Sequence, residues 1–142
     1  MVELDAEALA AHAVDPLRAR TLLEASGFEA GSERTWVDAE RDRRVLVRLL
    51  VFEGAGGAQT HMAWIRDHAD ELIGRSEPAA APDAPDGAIV FLHGPSGCCP
   101  KETPAYLVPW RKGPIVVWLE VRGPRVGLDD VVDLALRLDT AV

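Results

Sequence analysis

The stretch RRVLVRLLVFE, residues 43–53, decides the fold. Successive side chains of a strand point to opposite faces of its sheet, and apolar residues recur at every second position here. One face is entirely apolar and is predicted to meet the core: Val45, Val47, Leu49 and Val51. The other face mixes Arg44 and Arg48 with apolar side chains, so we expect it to be only partly covered.

A helix with clear start and stop signals precedes this strand. Asp15 is a favoured N-cap and Pro16 a favoured first helical residue, so the helix is predicted to begin there and to run to Ser26. Gly27 suits the position just after a helix, where the backbone turns left-handed. Three further segments complete this half: a short helix over 5–13 within a leading segment 1–14, an extended stretch over 28–37, and a polar turn over 38–42.

The second half of the chain alternates between helices and short strands. After the Gly-rich residues 54–57, apolar residues recur at helical spacing and predict a helix over 58–73. Its buried stripe is predicted to contain Ala58, Met62, Ile65, Ala69 and Leu72. Strands are predicted over 88–93, 105–111 and 114–122, followed by a helix over 128–138. The last two strands flank the turn Lys112-Gly113 and should pair as a hairpin.

These elements predict an α+β fold: a twisted antiparallel sheet of about five to six strands packed with helices. The length of 142 residues predicts a single domain over 1–142. Residues 77–87 contain three Pro and four Ala. We interpret them as an exposed connector inside that domain rather than as a domain boundary.

Charge and hydropathy exclude several classes of partner. The net charge of −8 argues against binding to nucleic acid or to anionic lipid through long-range attraction. The sequence contains no apolar run long enough for a transmembrane helix. Its first residues also lack the charged and apolar regions of a signal peptide.

Cys98 and Cys99 lie side by side in the segment 92–101, where the potentially reactive side chains gather. Neighbouring Cα atoms are ~3.8 Å apart, whereas disulfides prefer roughly 4.4–6.8 Å. A bond between the two cysteines would therefore be strained and easily reduced, as suits a redox switch. The alternative is a pair of unbonded thiols, and the sequence leaves both open.

His93 of the same segment completes a His-x4-Cys-Cys set, which offers three soft ligands for zinc or copper. Structural zinc sites usually take two spaced pairs of ligands, and no second pair is present. Ser96 does not complete a nucleophile elbow, because Cys98 stands where the second glycine belongs. We therefore assign no catalytic residue, no metal and no cofactor, and keep Cys98, Cys99 and His93 as a redox candidate.

Tryptophans in the predicted strands form a second candidate site. Trp118 falls on the strand face opposite the apolar face of 114–122, and Trp36 and Trp110 also lie in predicted strands. If these rings share one face with Leu50 and Phe52, that face would bind a small molecule or a partner. The alternative is that helices cover the rings and make them part of the core.

Two histidines and a tryptophan border the buried stripe of the predicted helix 58–73. His61 and His68 are two helical turns apart, about 10.5 Å, so they cannot share one metal unaided. Together with Trp64 they form either one wall of a ligand groove or a boundary with polar tips in water. The ligand-binding candidates are thus Trp36, Trp110, Trp118, His61, Trp64 and His68.

Several short motifs resemble those of small bacterial surface or lipoprotein-type domains. LLEASGF at 22–28 and RTW at 34–36 look like their opening, and FEGAGGA at 52–58 looks like their strand-to-helix step. WRKG at 110–113 with IVV at 115–117 is similar to their hairpin. Such domains distantly resemble the PsbP-type fold, a twisted antiparallel sheet between helices. The resemblance implies this fold and a place at the cell envelope, but it carries over no catalytic residues.

The sequence thus predicts a non-enzymatic binding or accessory domain, at the cell envelope or secreted, whose partner is a protein or an apolar small molecule. One alternative is a thiol-based redox or metal-dependent protein that uses the Cys98-Cys99 loop. A second alternative is a cytoplasmic acidic inhibitor or immunity-type protein that blocks a basic partner.

Overall fold

The computed structural model describes residues 1–93 and 104–142 and places the stretch 43–53 in an interior strand of an antiparallel sheet. Within those residues the strands are β1 (Val2–Leu4), β2 (Phe28–Asp38), β3 (Arg43–Phe52), β4 (Glu77–Pro78), β5 (Phe91–His93), β6 (Ala105–Lys112) and β7 (Ile115–Arg122). Their order across the sheet is β1-β2-β3-β7-β6-β5-β4, and each neighbouring pair is antiparallel.

Helices pack on both faces of this sheet. They are α1 (Ala6–Ala10), α2 (Pro16–Ala25), α3 (Ala55–Asp67), α4 (Ala69–Ile73) and α5 (Leu128–Ala141). Helices α1 to α4 contribute to the core on one face, and α5 packs on the other. The predicted α+β class, an antiparallel sheet packed with helices, is confirmed. The described residues form seven strands instead of five to six, because the short edge strands β1 and β4 were not predicted.

The predicted boundaries of α2 are confirmed. The Asp15 carboxylate accepts a hydrogen bond from the backbone N–H of Arg18 at 3.2 Å, and Pro16 is the first helical residue. Gly27 follows the helix with φ of +76°, the left-handed conformation that favours glycine. Its carbonyl accepts from the backbone N–H of Glu53 at 2.8 Å, so the end of α2 is tied to the end of β3.

Each face of β3 belongs to a different core. Val47 packs under α5 with Val131 and Ala135, as the apolar alternation of 43–53 predicts. On the opposite face, Leu50 and Phe52 are buried beneath α3. The mixed face is therefore fully covered at its Phe52 end, and its arginines lie at the other end.

The predicted helix 58–73 is divided into α3 and α4. The backbone of His68 has φ of −131° and ψ of 34°, which are not helical values. After this break, the Glu71 carbonyl accepts from the backbone N–H of Val14 at 3.2 Å, and the Glu71 side chain pairs with Arg18 at 2.9 Å. The break thus directs α4 towards the segment that joins α1 and α2.

Residues 77–87 are mostly exposed, and they also contribute to the sheet and to the core. Glu77 and Pro78 form β4 at the edge of the sheet, and Pro85 is buried. Three alanines of this segment pack against the core beneath α5: Ala79, Ala81 and Ala84. Small apolar side chains can cover a core without forming a regular element, so the Pro/Ala composition does not show which of these residues pack on the domain. The leading segment 1–14 is likewise attached, since β1 pairs with β2 and Leu4 is buried.

Candidate functional site

A cavity of about 460 Å³ lies between the sheet and helices α1 to α4. It lies over the mixed face of β3, which carries Arg44 and Arg48. Small-molecule sites typically have volumes of about 300–1,000 Å³, so the cavity is large enough for an organic ligand. Its main apolar lining consists of Leu9, Leu46, Leu50, Ile65, Leu72 and Leu107.

Strand register sets the composition of the cavity floor. Arg48 of β3 lies opposite Glu33 of β2 and Trp118 of β7. Two residues further back along β3, Leu46 lies opposite Glu120. Two more residues back, the pairing is between Arg44 and Arg122. The floor therefore changes from apolar near Leu50 to charged near Arg44.

Both carboxylates of the cavity wall are engaged by arginines. Glu33 Oε2 accepts from Arg48 Nε at 2.6 Å, and both side chains are mostly buried. Glu120 Oε1 accepts from Arg122 Nη2 at 3.1 Å. Arg44, by contrast, makes no ion pair with any residue of 1–93 or 104–142 and is exposed. The described part of the wall thus holds three arginines and two glutamates, a local excess of positive charge in a chain whose net charge is −8.

Four ring nitrogens of the cavity wall are buried without a hydrogen-bond partner among the described residues. They are His61 Nδ1, Trp64 Nε1, His93 Nδ1 and Trp118 Nε1. Buried polar atoms normally have partners, and leaving one unpaired costs about 1–3 kcal/mol. All four nitrogens belong to residues that line this one cavity.

His61 is the most buried polar side chain of this wall, with 5 % of its surface exposed. Its ring lies against Phe52, with centroids 5.1 Å apart, and is 6.3 Å from the ring of Trp64. Burial lowers the pKa of His61 from 6.5 to about 4, so the ring is neutral at pH 7. The interpretation of His61 as a boundary residue with its polar tip in water was wrong, because α3 directs the ring into the cavity wall.

The structure brings three of the six aromatic and histidine candidates together. His61, Trp64 and Trp118 line the cavity, and Trp118 is 9 % exposed. Trp110 is fully buried on the opposite face of the sheet, where its Nε1 donates to Asp139 Oδ1 of α5 at 3.0 Å.

The other two candidates also lie away from the cavity. Trp36 is 41 % exposed, and the guanidinium of Arg34 lies 5.0 Å from its ring centroid. The register pairs Trp36 with Val45, which belongs to the core under α5. The predicted strand tryptophans therefore do not share one face. His68 is outside the cavity lining, with Nδ1 3.5 Å from Glu71 Oε1.

Of the three residues of the redox candidate, the structure describes only His93. His93 ends β5 and lines the cavity. Cys98 and Cys99 lie outside the described residues, so the thiol prediction stays a prediction. Across residues 1–93 and 104–142, no group of three or more His, Cys, Asp and Glu side chains could hold a metal ion. In the same part of the chain, no helix is long and apolar enough to cross a membrane.

Sequence reasoning missed the charged residues of this site. Arg44, Arg48 and Glu33 were not among the candidates, although they form the polar part of the floor. The signal was present in the mixed face of 43–53, where Arg44 and Arg48 interrupt an otherwise apolar row. An arginine on the inward face of a central strand requires a buried partner, which indicates a polar site.

Comparison with known proteins gives a likeness of fold. No protein-family model and no curated protein matches the sequence. Among solved structures, the chain is similar to the extracellular domain of PknH from Mycobacterium tuberculosis, with a TM-score of 0.52 and 11 % sequence identity. The similarity covers 82 % of this chain and 69 % of that one.

Proposed function

We propose that this chain is a non-enzymatic binding domain of the cell envelope that holds a small, largely apolar molecule in the cavity above β3 and β7. The observation that carries this proposal is the group of four unpartnered ring nitrogens around a cavity of about 460 Å³. A ligand site typically combines an apolar wall with a few convergent polar groups, and this cavity has both.

The apolar part of the wall supplies the driving force for binding. Burial of apolar surface contributes roughly 25 cal/mol per Å² removed from water. The polar atoms supply orientation, since Trp64 and Trp118 present N–H donors and neutral His61 can donate or accept. Both wall carboxylates are held in ion pairs with arginines, an arrangement that suits recognition better than proton transfer.

The envelope location is supported by the likeness of the fold to an extracellular domain. The short motifs that resemble surface or lipoprotein-type domains point the same way, and a PsbP-like relationship remains part of this proposal. Fractionation of the producing cells tests the location. Detection of the protein in the envelope or the medium supports it, whereas detection only in the cytoplasm contradicts it.

A neutral apolar fluorophore tests the binding function. We expect N-phenyl-1-naphthylamine to bind saturably, with one site per chain and increased fluorescence. Ala13→Phe should weaken this binding severalfold, because Ala13 lines the cavity and the larger ring occupies its volume. Ala11→Phe is the matched control, since Ala11 is exposed and lies outside the lining.

Circular dichroism of each variant verifies that it is folded. If Ala13→Phe does not fold, Leu46→Trp on the cavity floor repeats the test from the opposite wall. The absence of saturable binding to the native chain would overturn the proposal. Equal binding by the native chain, the filled variant and the control would also overturn it, because the probe would then bind elsewhere.

A further inference from the structure

We infer that the ligand of this cavity is an amphipathic organic anion, with an apolar body against Leu46 and Leu50 and a negatively charged, oxygen-bearing head on the charged part of the floor. This inference rests on the proposed function and specifies its ligand class. It follows from the balance of hydrogen-bond donors, acceptors and charges in the wall.

Two indole donors of the wall have no acceptor among the described residues. The carboxylates of Glu33 and Glu120 already accept from Arg48 and Arg122. The indole nitrogens of Trp64 and Trp118 can only donate, and both are buried without a partner among the described residues. A ligand that satisfies them must therefore present acceptor atoms. Carboxylate and similar oxygen-rich heads do so, whereas an ammonium head presents only donors.

The charge of the wall favours a negative head. Among the described lining residues, three arginines against two glutamates leave a net charge of +1. Arg44 contributes the excess, since it has no ionic partner in the described chain. At physiological salt, charges more than about 8 Å apart are largely screened. The local positive charge consequently governs binding more than the net charge of −8 does.

The unpartnered atoms belong to a built site rather than to a surface. His61 and Trp118 are both more than nine-tenths buried, and they come from α3 and β7, on opposite walls of the cavity. The register places Trp118 directly opposite Arg48 on the neighbouring strand. Residues of the helix layer and of the sheet, each with an unpartnered ring nitrogen, therefore line the same cavity.

A matched series of probes tests the head group. Octanoate, octanol and octylamine share an apolar chain and differ in their heads. Their affinities are measured by displacement of N-phenyl-1-naphthylamine at pH 7, below their micellar concentrations. We expect octanoate to bind more tightly than octanol, and octylamine to bind most weakly.

Two substitutions separate the contribution of charge from that of hydrogen bonding. Arg44→Gln should lower the affinity for octanoate about fivefold and leave the affinity for octanol unchanged, because only the charged head of octanoate interacts with the Arg44 charge. Trp118→Phe should lower the affinity for both probes about fivefold, because the oxygen of each probe loses the indole N–H as a hydrogen-bond donor. The controls are Arg34→Gln and Trp110→Phe, whose side chains lie away from the cavity, and these should leave both affinities unchanged.

The outcomes distinguish this inference from the proposed function. Equal affinities for the three heads, or tighter binding of octylamine, would overturn the inference while leaving a general apolar binding site. If the fluorophore binds but octanoate does not displace it, the inference is overturned and the proposed function is not. Failure of the fluorophore itself to bind would overturn the proposed function.

Discussion

Replacing His61 with phenylalanine should remove a large part of the acid sensitivity of this protein. Burial lowers the pKa of His61 from 6.5 to about 4. Between these two pH values, the unfolded chain binds a proton at His61 that the folded chain does not bind. The free energy of unfolding therefore decreases as the pH falls through this window and is unaffected by His61 well above pH 6.5.

The magnitude follows from the difference in pKa between the two states. At about 1.4 kcal/mol per pKa unit, a change from 6.5 to about 4 corresponds to about 3 kcal/mol, lost in full below pH 4. About 2 kcal/mol of this is lost between pH 7 and pH 4.5. Phenylalanine does not titrate, and its ring suits a position packed between Phe52 and Trp64.

Urea unfolding at pH 7 and pH 4.5 measures this difference. Other titrating groups act equally in the native chain and in His61→Phe, so we expect the native chain to lose about 2 kcal/mol more than the variant. His12→Gln is the control, because His12 is exposed, and it should behave as the native chain does. If His61→Phe and the native chain lose the same stability on acidification, His61 is not buried as described.

Two further predictions concern the packing of α3 and α5. Gly57→Ala should destabilise the protein by more than about 2 kcal/mol, because the new Cβ would lie 2.0 Å from the Ser26 carbonyl oxygen. Gly56→Ala has open space at the same end of α3 and should stabilise by about 0.5–1 kcal/mol, so equal effects in urea unfolding would contradict this close approach. Trp110→Phe should cost about 1–2 kcal/mol, because Asp139 loses its hydrogen bond. An unchanged thermal midpoint would show that this bond does not stabilise α5.

Much of the fold was predictable because its signals are local. Asp15, Pro16 and Gly27 define α2 through capping and a left-handed turn, which depend on neighbouring residues alone. The alternation over 43–53 defines β3, since the period of two requires no knowledge of the partner strands. The short strands β1 and β4 lack such signals and depend on pairing with strands distant in sequence.

The face of Trp110 illustrates why the site was harder to predict. Lys112 pairs with Ile115, so the turn residues are Gly113 and Pro114 rather than Lys112 and Gly113. This register places Trp110 opposite Val117, on the face covered by α5. The predicted turn would also place Trp110 on this face, opposite Ile115, so strand alternation already separates Trp110 from Trp118. Which helices cover each face depends on tertiary packing, which local patterns do not contain.

The cavity itself depends on two layers of the fold, the sheet and the helices packed on one of its faces. Arg48 and Trp118 become neighbours only through the register of β3 with β7. His61 joins them only through the packing of α3 on the sheet. Helical spacing correctly identified Ala58, Met62 and Ile65 as buried, but His61 carries no apolar signal, so the sequence left it open between a groove wall and a boundary position. Its burial follows from tertiary packing, which periodicity does not contain.

The tryptophan side chains provide the most direct test of ligand binding in the cavity. The chain has four tryptophans, and each gives one indole N–H resonance in a ¹⁵N-correlated NMR spectrum. Saturating octanoate should shift the resonances of Trp64 and Trp118, which line the cavity and whose indole nitrogens have no partner among the described residues. The resonances of Trp36 and Trp110 should stay in place. Unchanged resonances for Trp64 and Trp118, or shifts confined to the other two, would contradict the account.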